Sequence, residues 1–131
     1  AQVLRMGDSW AIAALGNAVS IALEAHDLAL SRGIPCPTVV DLRFVKPLDD
    51  DVVAWLLKSH KTVLTMEDGF VTGGMGEALA ARAGNSLGGG RVFTLGVPDR
   101  FIPHATVEEQ QSSFSMTAEG LLEAFAHARQ A

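Results

Sequence analysis

The chain has 131 residues, which suits one domain with a substantial hydrophobic core. Hydrophobic residues make up 48% of the chain and charged residues only 19%, a balance that excludes a disordered protein. The net charge of −5, with lysines and arginines scattered along the chain, argues against a nucleic-acid surface. No apolar run approaches the roughly 18 residues of a membrane span, and no signal peptide is visible. The single cysteine, Cys36, cannot form an internal disulfide, so we expect a cytoplasmic protein without a membrane partner.

The first third of the chain predicts two strands and a helix. Residues 3–6 and 10–15 are apolar except for Arg5 and flank Gly7-Asp8, a pattern that predicts a β-hairpin. Asn17 is predicted to cap a helix that runs to about residue 32 and has only a narrow polar stripe. We therefore expect this helix to be buried on most sides.

Strands and helices alternate through the rest of the chain. The predicted strands are residues 36–42, 62–66 and 91–95. Two predicted helices run from Asp49 to about residue 60 and from the glycines at 73–76 to about residue 83. A short helix capped by Thr106 and Glu109 follows, and a last helix begins at Thr117. Such alternation predicts a three-layer α/β sandwich over residues 1–131, formed as a single domain. Its five-stranded sheet would be mostly parallel, with one antiparallel strand from the opening hairpin.

A glycine-rich turn, residues 67–76, follows the predicted strand 62–66. It carries two acidic residues and four glycines: Glu67, Asp68, Gly69, Gly73, Gly74 and Gly76. The turn lies at the carboxyl end of a strand, where open α/β sheets bind ligands. Its spacing matches neither the dinucleotide fingerprint nor a P-loop. Two interpretations remain: glycines that let the next helix pack tightly on the sheet, which we favour, and an anion or ligand site at the helix N-terminus. Tight packing requires a positive φ, or space too small for a Cβ, at Gly73 or Gly74.

Two cations follow another predicted strand. Arg43 and Lys46 could meet a phosphate, but pairing with carboxylates from Asp49, Asp99 or a neighbouring subunit is the favoured interpretation.

The segment 98–104 carries apolar residues where a loop is usually polar. Phe101 and Ile102 stand between two prolines, which predicts burial against another domain or subunit. His104 could act as an acid or base, but no nucleophile accompanies it. We therefore assign Arg43, Lys46, Asp99, Phe101, Ile102 and His104 to a candidate interface. We predict no catalytic residue, because no Gly-x-Ser-x-Gly elbow occurs, and no metal site, because the histidines are too dispersed.

Three segments occur together in a recognisable order. They are Asp-Leu-Arg-Phe-Val-Lys-Pro-Leu-Asp at 41–49, the glycine turn, and Leu-Gly-Val-Pro-Asp-Arg-Phe-Ile-Pro-His at 95–104. On these residues the chain resembles the C-terminal domain of 1-deoxy-D-xylulose-5-phosphate synthases, which are thiamine-diphosphate enzymes of the transketolase superfamily. The first two segments are shared with transketolases and pyruvate dehydrogenase beta subunits, while the third is more specific to the synthases. The chain departs from the family at residues 114–117, where Phe-Ser-Met-Thr replaces a Gly-Leu-Asp or Gly-Leu-Thr sequence.

The resemblance implies a role within a longer enzyme. The parent would use thiamine diphosphate and Mg²⁺ to condense pyruvate with glyceraldehyde 3-phosphate, with loss of CO2, for isoprenoid, thiamine and pyridoxal synthesis. In such enzymes a Gly-Asp-Gly segment of the first domain and a glutamate of the second domain hold the cofactor. This chain has no Gly-Asp-Gly, and Glu67 does not correspond to that glutamate. We therefore expect a fragment that is inactive alone, binds no cofactor, packs on the preceding domains and contributes to a homodimer.

Two other functions stay open. One is a stand-alone module that senses an anion or another ligand at the glycine turn. The other is a beta-type subunit of a 2-oxoacid dehydrogenase or transketolase, completed by separate chains. The absence of an initiator methionine leads us to expect a fragment instead.

Overall fold

A computed structural model describes residues 1–43, 48–70, 73–85, 90–97 and 116–130. The strands are β1 (Gln2–Arg5), β2 (Trp10–Leu15), β3 (Thr38–Asp41), β4 (Thr62–Phe70) and β5 (Arg91–Val97), and the helices are α1 (Ala18–Ser31), α2 (Asp50–Ser59), α3 (Met75–Gly84) and α4 (Ala118–Gln130). The predicted helix at Thr106 lies outside the described residues.

The five strands form one sheet in the order β1-β3-β2-β4-β5. β3, β2, β4 and β5 are parallel to one another, and β1 runs antiparallel to β3 at the sheet edge. The predicted mostly parallel sheet with one antiparallel strand is therefore confirmed.

The predicted hairpin between β1 and β2 is wrong, because β1 pairs with β3 and not with β2. The Gly7-Asp8 segment instead contacts the residues that precede β3. The backbone N–H of Asp8 donates to the Cys36 carbonyl at 2.8 Å, and the Asp8 carboxylate accepts from the Cys36 N–H at 2.9 Å. A Cβ on Gly7 would collide with the backbone of Cys36 and Pro37. The glycine thus serves a close approach between two chain segments and not a two-residue turn.

Hydrophobic cores cover both faces of the sheet. On one face Trp10, Ile12 and Ala14 of β2 pack with α1 and α4, and the rings of Trp10 and Phe125 stack with centroids 4.1 Å apart. On the other face Ala11 and Ala13 of β2 pack with α2 and α3. Both faces of β2 are buried because it is the central strand, so its sequence is apolar throughout. The predicted three-layer sandwich is confirmed.

Side chains cap two of the helices as the sequence predicts. The Asp49 carboxylate accepts from the Val52 N–H at 3.2 Å at the start of α2, and the Thr117 hydroxyl accepts from the Gly120 N–H at 3.0 Å at the start of α4. Asn17 occupies the N-cap position of α1, but its side chain makes no capping hydrogen bond. Its own backbone N–H donates to the Asp68 carboxylate at 3.3 Å. A hydrogen bond therefore connects the start of α1 to Asp68, which lies in the last third of β4.

Candidate functional site

The glycine turn holds a buried carboxylate at a helix N-terminus. β4 is longer than the sequence predicts, because its pairing with β2 continues to Glu67. The side chain of Glu67 is only 5% exposed. Its Oε1 accepts from the Met75 N–H at 3.0 Å, and its Oε2 accepts from the Gly76 N–H at 2.7 Å. The first N–H groups of a helix carry partial positive charge and attract anions. The carboxylate of Glu67 thus stands where the sequence suggests an external anion.

Two glycines of the turn are required for different reasons: Gly73 by its positive φ and Gly76 by its close contact with the sheet. Gly73 has φ +74°, a conformation that disfavours residues with a Cβ, whereas Gly74 is extended at φ −88°. Gly76 lies in the first turn of α3 against the sheet, where an added Cβ would stand 2.5 Å from Thr65 Oγ1 and 2.8 Å from Thr94 Cγ2. The expectation of a positive φ is confirmed at Gly73, while a site too small for a Cβ occurs at Gly76 and not at Gly73.

The other residues of the turn lie nearer the surface. Asp68 and Gly69 are exposed, and Asp68 makes the contact with the start of α1 described above. Glu77 is exposed as well, and its carboxylate accepts from the Gly73 N–H at 2.8 Å. Two carboxylates, one buried and one exposed, therefore bind backbone N–H groups of the same turn.

This arrangement couples the sheet to α3. Glu67 extends from β4, so its two hydrogen bonds hold the start of α3 against the carboxyl end of that strand.

Within the described ranges, no group of three or more His, Cys, Asp and Glu side chains could hold a metal ion. No helix of the described chain is long and apolar enough to cross a membrane.

The candidate interface is described only at Arg43. Arg43 follows β3 and has φ 60°, and its N–H donates to the Asp41 carboxylate at 2.9 Å. Its guanidinium donates to the Gln2 side chain and lies 3.8 Å from Asp41 Oδ2. These contacts are within the chain, on strands β1 and β3, and the arginine side chain is half exposed. The remaining members, Lys46, Asp99, Phe101, Ile102 and His104, lie outside the described residues.

Sequence reasoning missed two features of the turn. It did not pair Glu67 with the helix N–H groups, although an acid directly after an apolar strand run is an available signal. It placed the packing constraint at Gly73 or Gly74 and overlooked Gly76. A glycine in the first turn of an alanine-rich helix is the signal that points to a close approach.

Comparison with known proteins indicates the family to which the chain belongs. The family model described as transketolase, C-terminal domain, matches residues 1–121. A 1-deoxy-D-xylulose-5-phosphate synthase of Synechococcus sp. (strain JA-2-3B'a(2-13)) is 36% identical over 123 residues, which cover 94% of this chain and 19% of that protein. The synthase of Rippkaea orientalis (strain PCC 8801 / RF-1) is 35% identical over 133 residues, which cover 98% of this chain and 21% of that protein. The chain thus spans about a fifth of the length of these curated relatives.

A solved structure agrees with the family match. It is described as a split gene transketolase, inactive beta4 tetramer, and is similar with a TM-score of 0.87 at 30% sequence identity. The match covers 97% of this chain and 41% of the solved one. The sequence segments, the sheet order and these similarities agree, and the chain belongs to the family of transketolase C-terminal domains.

Proposed function

We propose that the chain is the C-terminal domain of a thiamine-diphosphate-dependent 1-deoxy-D-xylulose-5-phosphate synthase. The parent enzyme would condense pyruvate with glyceraldehyde 3-phosphate, with loss of CO2, in the cytoplasm, and its product would feed isoprenoid, thiamine and pyridoxal synthesis. The observation that carries the proposal is the match to synthases over more than nine-tenths of this chain but only about a fifth of theirs.

The proposed role of this domain is structural. Glu67, the most buried acidic residue of the part of the chain that the structure describes, uses both carboxylate oxygens to bind backbone N–H groups of α3. That engagement leaves Glu67 a poor fit for a thiamine diphosphate or Mg²⁺ ligand, so we assign the cofactor to the preceding domains. The domain would hold those domains in position and complete a homodimer.

The first prediction is that the 131-residue chain alone binds no thiamine diphosphate and forms no deoxyxylulose phosphate. Calorimetric titration with thiamine diphosphate in the presence of Mg²⁺ measures binding directly. A full-length synthase of one of the similar organisms serves as the positive control. Saturable micromolar binding to the isolated chain would overturn the assignment of the cofactor to other domains.

The second prediction concerns the dimer surface. Phe101 and Ile102 are adjacent apolar residues in the segment 98–104, and burying one such side chain contributes about 1.5–3 kcal/mol. We expect concentration-dependent self-association of the chain and its loss in a Phe101→Ser/Ile102→Ser double variant. Sedimentation velocity across a concentration series distinguishes the two proteins. Equal behaviour of both, whether monomeric or dimeric, would remove this segment from the interface.

A second candidate function is a separate subunit of a transketolase-type enzyme. The similar split gene transketolase favours it, because that protein's name describes a gene divided into parts. Reading the coding sequence upstream of Ala1 distinguishes the two proposals. Several hundred in-frame residues that include Gly-Asp-Gly support the synthase, whereas a stop codon and a neighbouring gene with that segment support the subunit. A ligand sensor at the glycine turn has less support, because Glu67 already binds the helix N–H groups there.

A further inference from the structure

A buried histidine connects three parts of the chain at the amino end of the sheet. His60 stands directly after α2 and is only 4% exposed. Its ring Nδ1 lies 3.0 Å from the Leu56 carbonyl oxygen, and its Nε2 lies 3.0 Å from the hydroxyl oxygen of Thr38, which begins β3. That hydroxyl also accepts from the N–H of Gly7, between β1 and β2, at 3.0 Å. These four residues form the amino-end network, which neither the sequence patterns nor the proposed function uses.

The contacts determine where the protons of the amino-end network lie. A carbonyl oxygen can only accept, so Nδ1 of His60 carries the proton that is donated to Leu56. In a neutral imidazole the other nitrogen is an acceptor, so Nε2 accepts from the Thr38 hydroxyl. The same hydroxyl accepts from Gly7, so each polar group of the network has a partner. The network therefore requires a neutral ring with its proton on Nδ1.

A protonated ring does not fit the same contacts. Nε2 of His60 would become a donor, and the Thr38 hydroxyl would have to accept from both the ring and Gly7. The proton of that hydroxyl would then lack an acceptor, because the described part of the chain gives Thr38 Oγ1 no other hydrogen-bond partner. Thr38 is completely buried, so water cannot replace the acceptor. A buried polar group without a partner is destabilising, and a buried charge more so.

The charged residues around His60 do not favour an added positive charge. Those on the elements that meet there are mostly cations, with one acid between β1 and β2: Arg5, Lys58, Lys61, Arg91 and Asp8. The Asp8 carboxylate already accepts from the Cys36 N–H. The acids of β3, α2 and β4 lie at the opposite ends of those elements: Asp41, Asp50, Asp51, Glu67 and Asp68. Within the described ranges, neither nitrogen of the His60 ring has a carboxylate partner, and only the C-terminal dipole of α2 favours a cation there.

We propose that the amino-end network is an acid-sensitive junction, in which protonation of His60 loosens α2 from the start of β3 and from the β1–β2 connection. Histidine is the side chain that ordinarily changes charge between about pH 5 and pH 8. In the unfolded chain the ring takes up a proton near about pH 6.5, whereas the folded network needs the neutral ring. The unfolded state then binds more protons, so this contribution to stability is present at neutral pH and is lost as the pH falls.

Two NMR measurements on the wild-type chain test the junction. Long-range ¹H–¹⁵N spectra at about pH 7.5 should show a neutral His60 ring with its proton on Nδ1. Between about pH 7.5 and about pH 5.5, the hydrogen-exchange protection factor of the Gly7 amide should fall by more than that of Gly76, whose N–H binds Glu67 at the other end of the sheet. A ring that is already protonated at the higher pH, a proton on Nε2, or equal falls at both amides would overturn the proposal.

A matched pair of variants isolates the contribution of His60. His60→Gln retains an acceptor for the Thr38 hydroxyl, because its amide oxygen can take the place of Nε2, but it does not titrate. Over the same pH range a single histidine that is neutral only in the folded state lowers the folding equilibrium constant by roughly tenfold. We expect the wild type to show this loss and His60→Gln to lack it. His127→Gln removes an exposed histidine near the end of α4 and should keep the wild-type pH dependence.

Urea titrations at both pH values measure the folding equilibrium constant of the three proteins. The same pH dependence in the wild type and in His60→Gln would overturn the proposal, as would an equal loss of pH dependence in both variants. If His60→Gln does not fold, the two NMR measurements on the wild-type chain decide between the outcomes without it.

Discussion

Replacing Glu67 by glutamine tests whether the buried carboxylate fastens α3 to the sheet. The substitution keeps the size of the side chain and one carbonyl acceptor, but it turns the second oxygen into an NH2 group. That group would face a backbone N–H of Met75 or Gly76, now 3.0 and 2.7 Å from the carboxylate oxygens. One charge-assisted hydrogen bond is lost, and two donors are placed against each other in a buried site.

The expected cost follows from that geometry. A hydrogen bond to a charged group contributes about 1.5–3 kcal/mol, and Glu67 is almost completely buried, so water cannot replace the lost acceptor. For a domain of this size, such a loss lowers the melting temperature by roughly 5–15 °C. Circular dichroism melts and urea titrations measure both quantities.

Glu77→Gln is the matched control. Glu77 also accepts from a backbone N–H of the turn, at 2.8 Å from Gly73, but it is exposed. Water can compensate for its loss, so we expect a change below about 1 kcal/mol. If Glu67→Gln melts within one degree of the wild type, or if both variants lose equal stability, the buried carboxylate does not hold the helix.

Two further predictions concern packing and pH. Gly76→Ala should lower the free energy of unfolding by about 1–3 kcal/mol, because the new Cβ would collide with Thr65. Gly84→Ala is the control and should be neutral or slightly stabilising, because a Cβ at that position has no atom within 4 Å. Urea titrations measure the stability of both variants, and equal effects would contradict the close approach at Gly76. The N–H of Val52 lowers the pKa of Asp49 below its ordinary 3.8, so the carboxylate stabilises the fold above that pH and this contribution is lost as the pH falls through the lowered pKa. The stability difference between the wild type and Asp49→Asn should therefore be largest near neutral pH and shrink as the pH falls from 3.8 through the lowered pKa, and a pH-independent difference would contradict this linkage.

The sequence by itself determined the local elements of this protein. Apolar runs at 62–66 and 91–95 correspond to β4 and β5, and the capping residues Asp49 and Thr117 stand at the starts of α2 and α4. These signals are local, because hydrophobic periodicity and side-chain caps involve residues a few positions apart. The alternation of strands and helices then sufficed for the sandwich and its mostly parallel sheet.

Tertiary structure alone decided which distant segments meet. Gly7-Asp8 suits both a hairpin turn and a close approach to Cys36, and only the fold selects the approach. The glycine turn likewise suits an external anion or an internal one, and the choice depends on whether the side chain of Glu67, on β4, reaches the N–H groups of α3. Contacts of this kind depend on the relative placement of packed elements, which no local spacing of residues encodes.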